Sequence, residues 1–229
     1  MNFKRYAVYY APPPGPLAEF GAAWLGWDME RGAAVAHPDL PGLPLPVEEI
    51  TATPRKYGFH ATLKPPFRLA EGRTEAELVE AVAILGSRTF HPVKDLRLNV
   101  TALGRFLALT AQGNVAQLSG LAAMCVETLD MFRAPAGEAE LARRRGAGLS
   151  PGQEAMLVRW GYPYVMDEFR FHMTLTGKLP KAVLPEVHAV LDQALDGVIP
   201  DPFALDTICL VGEDDEGRFH LMHRHTLSA

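Results

Sequence analysis

The sequence predicts an α+β fold: a two-lobed, pseudo-symmetric duplicate of a strand-helix-hairpin module, with two antiparallel sheets facing a central groove and helices outside. Three observations lead there. Short runs rich in Tyr, Val and Phe, punctuated by Pro and Gly, alternate with stretches of helical apolar spacing. Phe59-His60-Ala61-Thr62-Leu63 returns as Phe171-His172-Met173-Thr174-Leu175, identical at four of five positions. Gly104-Arg105-Phe106 and Gly217-Arg218-Phe219 then follow the two histidines at nearly equal distance, the sign of a repeated structural unit.

Arg5 to Ala11 reads as a strand, stopped by Pro12-Pro13-Pro14. Leu17 to Trp27 has helical spacing through Leu17, Phe20, Trp24 and Leu25. The proline-rich stretch from Ala36 to Pro54 is an ordered surface connection. Phe59 to Leu69 is a strand, and Thr74 to Ser87 a helix opened by a capping box of Thr74 and Glu77. Leu96 to Thr110 forms a hairpin broken at Gly104, and Val115 to Phe132 a helix.

Ala134 to Gly148 holds Pro, Gly and Arg and divides a single bilobal domain, 1–229, into halves at 1–133 and 149–229, the connection being 134–148. Ser150-Pro151 with Gln153 opens a helix that runs to Trp160. The first half's order then recurs. Phe169 to Leu179 is a strand, Leu184 to Leu195 a helix, and Phe203 to Val211 with Arg218 to Leu227 a hairpin whose turn, Gly212 to Gly217, is acidic and solvated.

The composition narrows the function. With 48% hydrophobic and 21% charged residues, the 229-residue chain can bury a full core. A formal charge of -5 argues against a general nucleic-acid or membrane-surface binder, so an extended nucleic acid is not an expected partner. Cys125 and Cys209 have neither scaffold nor zinc-site spacing. No apolar run is long enough for a membrane span or a secretion signal, which places the expected location in the cytoplasm.

Alternate side chains of a strand share a face. His60, Thr62 and Lys64 therefore fall on one side of the first motif strand, and Arg170, His172, Thr174, Thr176 and Lys178 on one side of the second. The opposite faces are apolar and can pack on helices.

The paired H-x-T-L motifs, with the strings Tyr57-Gly-Phe-His-Ala-Thr-Leu-Lys-Pro-Pro66 and Phe169-Arg-Phe-His-Met-Thr-Leu-Thr-Gly177, resemble the two-histidine (2H) phosphoesterase superfamily, LigT and cyclic phosphodiesterases among its members. The fuller strings look like its bacterial branch associated with phosphonate utilisation. The resemblance implies the two-lobed fold, no cofactor, and His60 and His172 facing each other as acid and base in cleaving a cyclic or 2′-5′-type phosphodiester; the expected reaction is hydrolysis of a cyclic phosphodiester on a small nucleotide or ribose phosphate.

Elementary chemistry agrees with that implication. Imidazole titrates at about 6.5, so near neutrality one ring can be neutral and the other protonated, as in-line phosphoryl chemistry requires. Thr62 and Thr174 can donate to the non-bridging phosphate oxygens. Lys64, with Arg170, Lys178 and Arg55, can add positive charge, and Tyr57 or Tyr164 can stack on a base or ribose. Arg143-Arg144-Arg145 either caps the groove and draws in an anion or stands as a solvated helix end beside Glu138 and Glu140.

Two other functions compete. The groove can bind a nucleotide or RNA end without cutting it. Alternatively His220, His223 and His225 can serve a metal-dependent hydrolase, although no acidic residue accompanies them at ligand spacing and no metal site is expected.

Overall fold

The computed structural model describes residues 2–88, 90–146 and 148–228. Ala147 of the expected connection, Thr89, and the chain ends Met1 and Ala229 lie outside the described residues. Among those described, strands β1 (Arg5–Tyr10), β4 (Ala61–Phe67), β5 (Val93–Leu103), β6 (Phe106–Gly113), β7 (His172–Thr174), β8 (Phe203–Leu205), β9 (Thr207–Glu213) and β10 (Phe219–Thr226) form one antiparallel sheet, ordered β10-β9-β1-β4-β7-β6-β5-β8. A small ribbon of β2 (Trp27–Asp28) and β3 (Ala33–Ala34) lies apart.

The helices are α1 (Pro16–Leu25), α2 (Val47–Thr51), α3 (Glu75–Arg88), α4 (Val115–Thr128), α5 (Glu138–Arg145), α6 (Pro151–Trp160) and α7 (Leu184–Leu195). Their ends follow local chemistry. Thr74 and Glu77 make the expected reciprocal bonds before α3, and Ser150 with Gln153 completes a capping box at α6. Gly26 closes α1 in the left-handed conformation, with φ of 76°, where a side chain would be strained.

The core explains the layering. Strand β1 is buried on both faces: Tyr6, Val8 and Tyr10 enter the main core, while Ala7 and Tyr9 enter a second cluster with Trp27, Met29 and Phe219. Helix α3 packs on β9 and β10, α4 on β4 and β5, and α7 on β5 and β6. Leu78, Val82, Leu118, Val187 and Leu191 supply the apolar faces that make this packing favourable.

The α+β class and antiparallel sheet match the sequence expectation, while the connectivity differs in three respects. The two expected sheets are halves of one sheet, joined where Ala61 pairs with Met173. The hairpins are exchanged: β5-β6 pairs with the second motif strand, and β9-β10 lies with β1 and β4. Strands from 1–133 and from 149–229 therefore both occur on each side of the β4-β7 pair.

The third difference concerns equivalence. β6 adjoins β7, whereas β10 is an edge strand, so the two Gly-Arg-Phe turns do not occupy like places in the sheet. A sequence repeat reports similar strings, and hydrogen-bond partners are chosen by packing. Asp206 breaks the predicted strand at Phe203, sending β8 to β5 and β9 to β1. One residue thus joins opposite sides of the sheet, which must curl, and Phe203 meets both Tyr10 and Phe171 across the curl. The expected connection also contains α5, whose apolar spacing is too sparse to read.

Candidate active site

The Ala61–Met173 pair sets the geometry of the sheet's centre. In an antiparallel ladder its neighbours follow: His60 comes opposite Thr174, and Thr62 opposite His172. Ala61 and Met173 are fully buried in the core, so the four motif side chains project from the other face, where all are half-buried. His60 and His172 are then diagonal neighbours, whose separation in such a pair is about 7–8 Å. Two imidazoles at that spacing can close on a phosphate placed between the threonine hydroxyls.

Both rings are oriented alike. His60 Nδ1 lies 2.9 Å from the Gly58 carbonyl oxygen, and His172 Nδ1 lies 2.8 Å from that of Arg170. A carbonyl only accepts, so each Nδ1 carries its hydrogen and each Nε2 is left for chemistry. For His60 that Nε2 accepts from the Thr62 hydroxyl at 3.1 Å.

His60 stacks on the buried Tyr9, with ring centroids 3.7 Å apart. Burial of its ring pushes its pKa down to about 4, against the pull of the Gly58 bond and with a small further lowering from His172. His60 is consequently neutral at physiological pH.

Two chambers meet at the motifs. The larger, of about 850 Å³, is lined by His60, Thr62, Thr174, Lys56 and Arg68 and is roofed by α5. The smaller, of about 260 Å³, has Tyr57, Phe106, Gly177 and Lys178 around the same His60 and Thr174. His172 lines neither, its ring 6.2 Å from that of Phe106, which borders the smaller.

The predicted binding residues separate. Tyr57 borders both chambers, stacked on Phe219 at 5.3 Å, and the exposed Lys178 borders the smaller. Arg170 is exposed and gives the site only its carbonyl.

Lys64 is not in the site. Opposite β1, Tyr9 pairs with Thr62 but Val8 with Lys64, so β4 carries an extra residue there, and the bulge inverts the alternation. Lys64 is 1% exposed; its Nζ donates to the Val126 carbonyl at 3.0 Å and lies 3.9 Å from Asp130. Burial lowers its pKa to about 8.

Other candidates serve the scaffold. Arg55 binds the carbonyls of Leu25 and Glu48. Tyr164 is an exposed neighbour of Tyr162. His220 pairs with Asp214 at 2.7 Å, and His223 and His225 stack on each other. Among the described residues no group of three or more His, Cys, Asp or Glu side chains is placed to hold a metal. Glu213, expected at a solvated tip, is buried and bonded to Arg5.

Sequence reasoning missed Tyr9, Arg68, Lys56 and Tyr162. Tyr9 becomes a site residue only through strand pairing, since it lies opposite Thr62. Arg68 follows the strand end at Phe67 and lines the groove past the bulge, beyond the reach of simple alternation.

Fold and site together define an α+β protein with His-x-Thr on each of two paired central strands. The chain belongs to the family described as protein of unknown function (DUF1045), whose model matches residues 62–220. It is 39% identical over 222 residues to a Janthinobacterium sp. (strain Marseille) protein named ribose 1,5-bisphosphate phosphokinase PhnN, covering 94% of this chain and 49% of that one. A protein of the same name from Laribacter hongkongensis (strain HLHK9) is 35% identical over 216 residues, with 93% and 49% covered. The chain thus spans about half the length of the curated relatives it matches. Against the solved structure of E. coli LigT complexed with 3′-AMP the TM-score is 0.44 at 16% identity, and against the apo form 0.44 at 17%, each over 100% of both chains.

Proposed function

We propose that this chain is a two-histidine phosphodiesterase that opens a cyclic phosphodiester on a small phosphorylated ribose or nucleotide, without a metal ion. The observation that supports the reading is the pairing of the two motif strands at Ala61 and Met173, which in an antiparallel ladder brings His60 beside Thr174 and Thr62 beside His172.

In this reaction His60, neutral through burial, takes a proton from the attacking water at Nε2. The water oxygen bonds to phosphorus as the bond from phosphorus to one ribose oxygen breaks. His172, entering protonated, gives its Nε2 proton to that departing oxygen. Thr62 and Thr174 donate to the non-bridging oxygens, as donors aimed at developing charge do. The products are a phosphomonoester and a free hydroxyl, with the two ring charges exchanged until solvent resets them.

A pentose phosphate is the favoured substrate class. The matched relatives carry a name for phosphorylation of ribose 1,5-bisphosphate, and this chain corresponds to about half of each. A phosphomonoester released from a cyclic ribose phosphate would suit such a kinase, and the name PhnN accords with phosphonate utilisation.

Incubation with nucleoside 2′,3′-cyclic phosphates and cyclic ribose phosphates, followed by phosphorus NMR, tests the reading. Conversion to monoester that survives EDTA is expected. Cyclic phosphate bound but recovered intact would instead make the groove a binding site, and turnover abolished by chelation would make it a metal enzyme.

A further inference from the structure

The larger chamber holds more positive charge than a cyclic diester needs. Arg68 of the segment after β4 and Arg143 and Arg144 of α5 line it, with Lys56 from the turn before the first motif. Its only lining carboxylate among the described residues, Glu140, is bonded to Arg144 at 2.7 Å. Burial would raise the Glu140 carboxyl, but bonded Arg144 and the nearby charges of Arg68 and Arg143 outweigh it and hold the group below its ordinary value.

Lys56, Arg68 and Arg143 form no ion pair among the described residues. Arg145, the third arginine of the run, is turned away to Glu154. Arg144 is fixed further by stacking on Tyr162, 4.6 Å from its ring, and its Nε is buried without a partner. The helix end accounts for some basic charge there, but it accounts for neither Arg68 nor Lys56, which come from other segments.

A cyclic diester carries one negative charge, and the threonine hydroxyls already receive it. A phosphomonoester carries between one and two at neutral pH and offers three acceptor oxygens, matching guanidinium forks. We infer that Arg68, Arg143 and Arg144, with Lys56, form a second anion subsite that takes a terminal phosphoryl group of the substrate, distinct from the one cleaved. This rests on the phosphodiesterase reading for its role, while phosphate binding itself can be read separately.

The experiment compares adenosine 2′,3′-cyclic phosphate with its 5′-phosphorylated form. The 5′-phosphate should raise kcat/KM about tenfold or more at low salt, the factor one charge-assisted hydrogen bond supplies, and the gain should shrink at high salt. In Arg68→Gln and Arg143→Gln the ratio between the two substrates should fall toward one. Equal kcat/KM for both substrates in the unaltered protein would overturn the subsite. If neither is cleaved, titration with inorganic pyrophosphate decides: binding that weakens in both variants upholds the subsite although the catalytic reading has failed, and binding unchanged by the substitutions overturns it.

Discussion

His60 and His172 make the same hydrogen bond from paired strands: each Nδ1 donates to the carbonyl oxygen two residues earlier, at 2.9 Å to Gly58 and 2.8 Å to Arg170. The shared bond fixes a common tautomer, in which Nε2 of His60 accepts from the Thr62 hydroxyl until substrate replaces it. Their environments differ, since His60 is packed against Tyr9 while His172 lines neither chamber.

The pH profile follows from that burial. The proposed mechanism needs neutral His60, whose pKa burial lowers to about 4. The acid limb of kcat/KM should therefore fall well below the ordinary histidine value of about 6.5. Tyr9→Ala admits water to the ring and should move the limb upward, with circular dichroism confirming the fold. A limb already near 6.5 in the unaltered enzyme would contradict the assignment of His60 as base.

Stability should carry the same signature. Between about 6.5 and about 4 the unfolded chain protonates His60 while the folded one does not, so this residue's contribution falls as pH is lowered through that window and levels off below it. Urea titrations at pH 7 and pH 5 should show a smaller loss for His60→Gln than for the unaltered chain. Equal losses would remove His60 from the linkage.

Lys64 should prove structural. Lys64→Met removes a charge that burial disfavours and leaves Asp130 paired with Arg133 at 2.7 Å. Stability should change by less than about 2 kcal/mol in either direction, because exchanging a buried charge for an apolar side chain of like volume is often neutral, and kcat/KM should stay the same. A tenfold rise in KM would return Lys64 to the groove.

Helix α1 sets the first motif strand through a close approach. A Cβ at Gly21 would stand 2.0 Å from the ring of Phe59, the residue before His60. Gly21→Ala should cost about 1–3 kcal/mol, as overpacking does, and lower activity as well, read by thermal melting and kcat/KM. An unchanged melting temperature would show that Phe59 has room to move.

How much of this was legible in the sequence depends on the range of the interactions. Capping boxes at Thr74 and Ser150 and the hairpin at Gly104 are local patterns, and all appear where expected. The motif faces were legible for His60, Thr62, His172 and Thr174 because alternation holds over a few residues. It failed at Lys64, where a bulge set by β1 reversed it. The exchange of hairpins, the stacking of Tyr9 and the convergence of Arg68 with α5 depend on contacts between segments far apart in the chain, which no local pattern encodes.

The most direct test is phosphorus NMR of a cyclic ribose phosphate incubated with the unaltered protein, His60→Ala and His172→Ala. The account predicts monoester formation by the first and a loss of about a hundredfold or more in each variant, the scale of general acid or base catalysis, with circular dichroism unchanged. Undiminished turnover in either variant would contradict it.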